Sequence, residues 1–470
     1  MNLLTLTIKE ARRALQSKEF SAVELVRAYI DRIQTHDSKL GAFLTVDESG
    51  ALSQAKRADA QIAKGITKKL LGIPVACKDL YSTRAVRTTA GAKIIDTYKP
   101  PYNATVVDRY LEAGAILMGK TNEDAWGHGS SGENSDYFPT RNPYDTTHVP
   151  GGSSSGSAVA VAAGFSLVGT GTDTGSSIRL PASFCNIVGM KPTYGRVPRY
   201  GVISMASSFD TIGHMTRTVY DNALVYEVTA GADPRDATTP QVPVPMYTES
   251  LGKSLKGLRA GIPKEYFRSN GIDKGVREVT MTAIGKLESL GMRVEEISLP
   301  HTEYAMACYY VLVPSEISSN LSRYDGVRFG ATRDTFGAEA KRRIMLGTHA
   351  LSAGYYDAFY HKAAKVRTLI KQDFEKALEK VDVILAPVSP TPPFKLGEKV
   401  NDPLAMYLSD IFVCPVNIAG VPALSVPCGF AGILPIGLQI IGKQFGEQLL
   451  YQVASAYENE TEWYKKPAIL

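Results

Sequence analysis

From Leu70 onward, short apolar runs alternate with segments of helical periodicity, and this rhythm restricts the chain to an α/β sheet covered on both faces. Leu71–Cys77 is an apolar run that ends on Lys78, and Ala115–Gly119 follows a helical Val107–Ala113. The face Val276, Val279, Ala283, Leu287 and Leu290 predicts a helix leading into a strand over Arg293–Ile297. Tyr355–Lys380 reads as one long helix before a buried strand at Val383–Ala386. Upstream, Thr7-x-x-Glu10 and Ser21-x-x-Glu24 are capping boxes that predict two helix starts within an N-terminal helical segment, residues 1–65. Two stretches break the rhythm. Asp233–Ser254 is proline-rich without apolar periodicity, and Ala386–Phe394 holds four prolines in nine residues, so both predict loop or extended chain.

A length of 470 residues allows one large domain or two to three smaller ones. No internal repeat divides the chain. It reads as a single domain, 1–470, in which 235–345 is an inserted or peripheral region. With 52 Lys and Arg against 47 Asp and Glu, the net charge of +5 is too mild, and too evenly spread, to predict a nucleic-acid surface. The five cysteines are widely spaced with no C-x-x-C pair, which excludes a disulfide framework or zinc ribbon and points to a reducing compartment. The seven histidines show no metal-ligand spacing. Met1–Leu4 has no basic start of a signal peptide, and the most apolar stretch, Ala158–Val168, is too short to span a bilayer. The expectation is a cytoplasmic protein with no membrane contact and no bound metal.

The chemistry concentrates in Pro150–Ala182, PGGSSSGSAVAVAAGFSLVGTGTDTGSSIRLPA. A flexible linker does not suit it, because the Gly/Ser run leads directly into a helix former, Ala158–Ala163, and a strand-like Ser166–Thr172. A phosphate cradle needs a Lys-Ser or Lys-Thr after the glycines, and none follows. Gly152-Ser-Ser-Ser-Gly156 formally satisfies G-x-S-x-G, but the preceding Tyr144–Pro150 is polar and ends in proline, so it cannot be the strand of a nucleophile elbow. What remains is Ser153 in one Gly-rich turn, Ser177 in a second, and Lys78 at the end of an apolar run. A serine hydroxyl needs a base to become a nucleophile, and lysine serves only when neutral, which burial favours. The Gly-rich backbone before Ser177 offers N–H groups for an oxyanion.

The run Gly151–Gly156 and the pattern Gly169-x-Gly171-x-Asp173-x-Gly175-x-Ser177-Ile178-Arg179-x-Pro181-Ala182 match the amidase signature at every fixed position, with Lys78 and Ser153 at that family's spacings. The chain thus resembles the amidase signature family. The resemblance implies its fold, a central mixed β-sheet between helical layers. It implies Ser177 as the nucleophile, Ser153 after a cis peptide bond as the proton relay, and Lys78 as the base. It further implies the backbone N–H groups of Thr174, Gly175, Ser176 and Ser177 as the oxyanion hole, with Asp173 and Arg179 supporting them.

Within that family the likeness extends over almost the whole chain to the glutaminase components of tRNA-dependent amidotransferases. It includes Lys191–Val197, Ala206–Asp210, Ser319–Arg328, Lys341–Thr348 and Ser352–Asp357. The family's glutamine-binding positions fall on Tyr309, Arg343 and Asp410. Arg343 would fork onto the α-carboxylate, Asp410 would accept from the α-ammonium, and Tyr309 would hydrogen-bond nearby. The resemblance implies L-glutamine as substrate and the amidotransferase B and C subunits as partners. It also implies a mischarged tRNA, Glu-tRNA(Gln) or Asp-tRNA(Asn), held mainly by the B-type partner. This chain would bind no cofactor, with ATP and Mg used by its partner. A stand-alone amidase of small aliphatic or aryl amides is the alternative; it would keep the three catalytic residues but not need Arg343 with Asp410. Against the family pattern, Ser176 and Ser155 stand where glycine is usual, Leu180 replaces glutamine, and 329–340 is shorter.

Overall fold

The apolar runs between turn residues become strands of one sheet in the computed structural model of the chain, which describes residues 3–268 and 271–468. Met1 and Asn2, part of the N-terminal reading above, lie outside the described residues. The strands are β1 (Phe43–Val46), β2 (Pro74–Lys78), β3 (Ile116–Thr121), β4 (Val168–Asp173), β5 (Val188–Lys191), β6 (Thr211–Thr216), β7 (Arg259–Pro263), β8 (Arg293–Ile297), β9 (Val383–Pro387), β10 (Ala423–Ala431) and β11 (Leu434–Ile441). They form one eleven-stranded sheet in the order β1-β3-β2-β4-β6-β5-β10-β11-β9-β7-β8. Parallel pairs (β2 with β3 and β4, β7 with β8 and β9) sit beside antiparallel ones (β4 with β6, β10 with β11), so the sheet is mixed.

Every residue of β2, β3, β4, β5, β6 and β9 is buried, the pattern of strands covered on both faces. The edge strand β8 is largely exposed. Segment 235–345 supplies β7 and β8 at that edge, the helix Lys274–Ser289, and the helix Ala305–Asn320. Both capping boxes form, at Thr7 with Glu10 and Ser21 with Glu24, opening helices Ile8–Gln16 and Ala22–Leu40. The long helix expected over Tyr355–Lys380 starts later. Tyr356–His361 winds as a π-helical turn, on which Tyr355 stacks with Phe359 and Tyr356 with Tyr360, and the α-helix runs over Lys362–Lys380. All five cysteines are buried and unpaired. Among the described residues, no helix is long and apolar enough to cross a membrane.

The sheet order decides where the chemistry gathers. β3, β2 and β4 are adjacent and parallel, so their carboxyl ends open onto one place, the edge at which α/β sheets bind ligands. Glycines let the backbone close around it. A Cβ on Gly152 would lie 2.0 Å from Asp124 Oδ2, and one on Gly156 would lie 2.3 Å from the Ala42 carbonyl oxygen. The helix Ser155–Ala162 therefore packs directly against the segment that leaves β3, and the Gly156 N–H donates to the Asn122 carbonyl at 3.0 Å.

Candidate active site

Lys78 ends β2 and is wholly buried. Its Nζ lies 2.8 Å from Ser153 Oγ, 3.0 Å from Ser154 Oγ and 2.8 Å from Thr172 Oγ1. The Ser154 hydroxyl can donate onward to the Thr172 carbonyl at 3.3 Å. A neutral amine can then donate to Ser154 and Thr172 and keep its lone pair for the Ser153 proton. Burial pushes the Lys78 ammonium below the usual lysine range, against the pull of Glu123 and Asp124. The Gly152–Ser153 peptide bond is cis. The Ser177 carbonyl accepts from the Ser154 N–H at 3.2 Å, so the two serine-bearing turns lie against each other.

The turn between β4 and the helix Arg179–Phe184 is held from behind. Arg179 grips Asp173 twice, Nη2 to Oδ1 at 2.9 Å and Nε to Oδ2 at 3.0 Å, with both residues fully buried. Burial opposes ionisation of Asp173, but the charge and hydrogen bonds of Arg179 outweigh it and hold the carboxyl below its usual value. Arg179 also donates to the Gly175 carbonyl, at 3.0 Å. The Ile178 and Arg179 N–H groups bond Asp173 Oδ2 at 3.2 and 3.3 Å. The four before them, of Thr174, Gly175, Ser176 and Ser177, have no acceptor among the described residues. They are the donors the turn leaves open, as an oxyanion hole requires.

Tyr309, on the helix Ala305–Asn320, closes over this turn: a Cβ on Gly175 would meet its hydroxyl at 2.9 Å. Arg343, on the helix Ala338–Ala350, is buried rather than on a solvated basic face. Its Nε bonds Glu339 at 2.8 Å, and its guanidinium lies over the rings of Tyr310 and Tyr407, themselves stacked with centroids 3.8 Å apart. Asp410 lies in the turn between helices Pro403–Leu408 and Cys414–Ala419. Its Oδ2 accepts from the Ser130 hydroxyl and the Ser176 hydroxyl reaches it, while Oδ1 is buried without a partner. Burial pushes its carboxyl up to about 6, moderated by those hydroxyls and by Arg343. A cleft beside them is lined by Ser130, Asn134, Glu339, Arg343, Met406 and Tyr407. Arg343 and its ion-pair partner Glu339 thus line this cleft, and Asp410 is bonded to Ser130 of its wall.

Sequence reasoning did not single out Ser130, Ser154, Thr172 or Glu123. Thr172 carried a period-two signal, since it alternates with Thr170, whose hydroxyl takes the Lys78 N–H at 2.8 Å. Ser130 and Glu123 carried none; only the packing of β3 on β2 and of Asp410 against the turn brings them in. Among the described residues, no group of His, Cys, Asp or Glu side chains could hold a metal ion.

The fold and the paired serine turns around a buried lysine define an amidohydrolase-type site. A family model described as Amidase matches residues 24–451, and the chain belongs to the amidase family. Within it, the chain is 53% identical to the A subunit of the glutamyl-tRNA(Gln) amidotransferase from Carboxydothermus hydrogenoformans, over 99% of both chains. Among solved structures it is similar to the A subunit of the glutamyl-tRNA(Gln) amidotransferase from Thermotoga maritima, with a TM-score of 0.85 and 41% identity over 98% of this chain and 95% of that one. A bacterial aryl acylamidase superposes with a TM-score of 0.88 at 24% identity, covering 98% of this chain and 97% of that one, a likeness of fold alone.

Proposed function

We propose that the chain is the glutaminase component of a tRNA-dependent amidotransferase, releasing ammonia from L-glutamine for the amidation of Glu-tRNA(Gln) or Asp-tRNA(Asn). What supports this reading is the turn of open N–H groups at 174–177 under Tyr309, the buried Arg343 and Asp410 within electrostatic reach of that tyrosine, and Lys78 at 2.8 Å from Ser153. Arg343 pairs with the α-carboxylate and Asp410 Oδ1 accepts from the α-ammonium, which leaves the side-chain amide reaching toward Ser177. Lys78 takes the Ser153 proton as Ser153 takes that of Ser177, and Ser177 Oγ bonds the amide carbon. The carbonyl oxygen becomes an oxyanion held by the N–H groups of Thr174, Gly175, Ser176 and Ser177. The proton returns through Ser153 to the leaving nitrogen, the C–N bond breaks, and water later cleaves the acyl ester.

In this reading Asp173 and Arg179 fix the turn without touching substrate. Partners of the B and C types receive the ammonia and hold the tRNA, and the B-type partner uses ATP and Mg. The cytoplasm, where charged tRNA is used, is the corresponding location. The test is ammonia release by the tagged chain purified with its co-purifying partners, comparing L-glutamine with simple amides and using Ser177→Ala as control. Release from glutamine alone, abolished in Ser177→Ala, is expected. Release from simple amides with glutamine ignored would replace this reading with a free-standing amidase.

A further inference from the structure

A fully buried carboxylate that the relay does not use stands beside its base. Glu123, just past the end of β3, places Oε2 3.5 Å from Lys78 Nζ, and both side chains have no solvent exposure. Neither Glu123 oxygen has a hydrogen-bond partner. The neighbouring acids are engaged elsewhere. Asp124 accepts from the N–H groups of Gly132 and Asn134, at 3.0 and 2.8 Å. Asp79 accepts from the Thr89 N–H at 2.7 Å and from its hydroxyl, and lies 3.5 Å from Lys120. A buried acid whose oxygens stabilise no backbone turn, facing one lysine, lacks a structural explanation.

We propose that Glu123 is the counter-charge of the Lys78 ammonium, a positioning residue that sets the pH at which Lys78 is free to act as a base. This rests on the assignment of Ser177, Ser153 and Lys78 given above. When the Ser153 O–H bond breaks and an N–H bond forms on Lys78, a full positive charge appears where solvent does not reach. Ser153, Ser154 and Thr172 offer lone pairs but no charge. The Glu123 carboxylate supplies the charge, and gains and loses no proton as Lys78 later returns its own. The other ionisable groups around the pair are Asp79 and Tyr81 after β2, Lys120 from β3, Asp124 beside Glu123, and Asp210 ahead of β6. Asp79, Asp124 and Asp210 are bonded to backbone N–H groups, and Lys120 to the Tyr81 carbonyl and Thr88. Burial raises the proton affinity of Glu123 and lowers that of Lys78, and the charge of each opposes that shift in the other.

The test uses the full chain and a fluorophosphonate, in which Ser177 Oγ displaces fluoride from phosphorus; this requires the base but not the glutamine pocket. The labelling rate against pH is measured for the wild type, Glu123→Gln and Glu123→Asp, with folding checked by thermal melting. Loss of an opposite charge at this distance is expected to move the acid-side midpoint of Glu123→Gln down by about one pH unit or more and to lower the plateau rate. Glu123→Asp, which keeps the charge, stays nearer the wild type. With glutamine varied, Glu123→Gln lowers kcat and leaves KM unchanged. If Glu123→Gln does not fold, Glu123→Met is measured in its place. An unmoved midpoint in a folded, labelled variant overturns the role of Glu123 while leaving Ser177 in place. A wild type that Ser177→Ala leaves equally labelled and equally active overturns the relay, and this proposal with it.

Discussion

Asp410 joins recognition to pH at the level of a single residue. Burial raises its carboxyl to about 6, so below that pH it takes a proton, loses its charge and no longer attracts an ammonium. KM for glutamine is expected to rise as the pH falls through 6 in the wild type. In Asp410→Asn, KM should be higher throughout, by about 10- to 100-fold for a lost charged hydrogen bond, and flat over the same range; steady-state kinetics from pH 5 to 8 checks both. Gly175 is constrained differently. An added Cβ would press on the Tyr309 hydroxyl at 2.9 Å and its ring at 3.0 Å, so Gly175→Ala must shift either the turn of open N–H groups or Tyr309. Displacing one oxyanion donor costs on the order of 10² in kcat, and single-turnover glutamine hydrolysis would detect it. Activity within a fewfold of wild type would show that the turn does not hold the oxyanion.

At the scale of elements, two helices set the pocket by their closeness. Gly347 on the helix Ala338–Ala350 lies against the Pro314 carbonyl of the helix Ala305–Asn320, where a Cβ would be only 1.8 Å from that oxygen. The first helix carries Arg343 one turn earlier and the second carries Tyr309, so this crossing fixes the two relative to each other. Gly347→Ala should force the helices apart, lower stability by about 1–3 kcal/mol as overpacking does, and raise KM more than it lowers kcat. Denaturant unfolding and kinetics together read this. By contrast Ser21 caps the helix Ala22–Leu40 far from the site through the Glu24 N–H, at 3.1 Å. Ser21→Ala should cost about 1 kcal/mol in the same unfolding experiment and leave glutamine hydrolysis unchanged.

Across the molecule, the helix Val219–Thr229 ties the helix Ile8–Gln16 to the helix Glu447–Thr461. Asp221 accepts from the Ile8 and Lys9 N–H groups at 2.8 and 3.1 Å, and Glu458 on the last helix accepts from the Val219 N–H at 2.8 Å. Burial pushes the Glu458 carboxyl up to about 8, against about 4.3 in an unfolded chain. Folding therefore binds a proton between these values. The stabilisation from this group is fully present below about 4.3 and is lost as the pH rises through 8. Melting temperatures from pH 5 to 9 should fall less steeply with rising pH in Glu458→Gln than in the wild type; parallel curves would exclude Glu458 as the source.

Local pattern alone made the elements legible. Arg293–Ile297 is a strand at the expected bounds, and Ser21 and Glu24 form their box, because periodicity and capping act within a few residues. The serine turns were legible for the same reason, since Gly-rich backbone and hydroxyls sit in one short run. Tyr309, Arg343 and Asp410 were reached only through family resemblance, because nothing in their own segments separates a pocket residue from a helix surface. Glu123 was not reached at all. Its place opposite Lys78 comes from the parallel pairing of β3 with β2, a contact between segments some forty residues apart along the chain. The sequence by itself determined the α/β elements and the two serine-bearing turns, whose causes are local. Tertiary structure alone decided which distant charges share the site, because burial and sheet order are properties of the assembled chain.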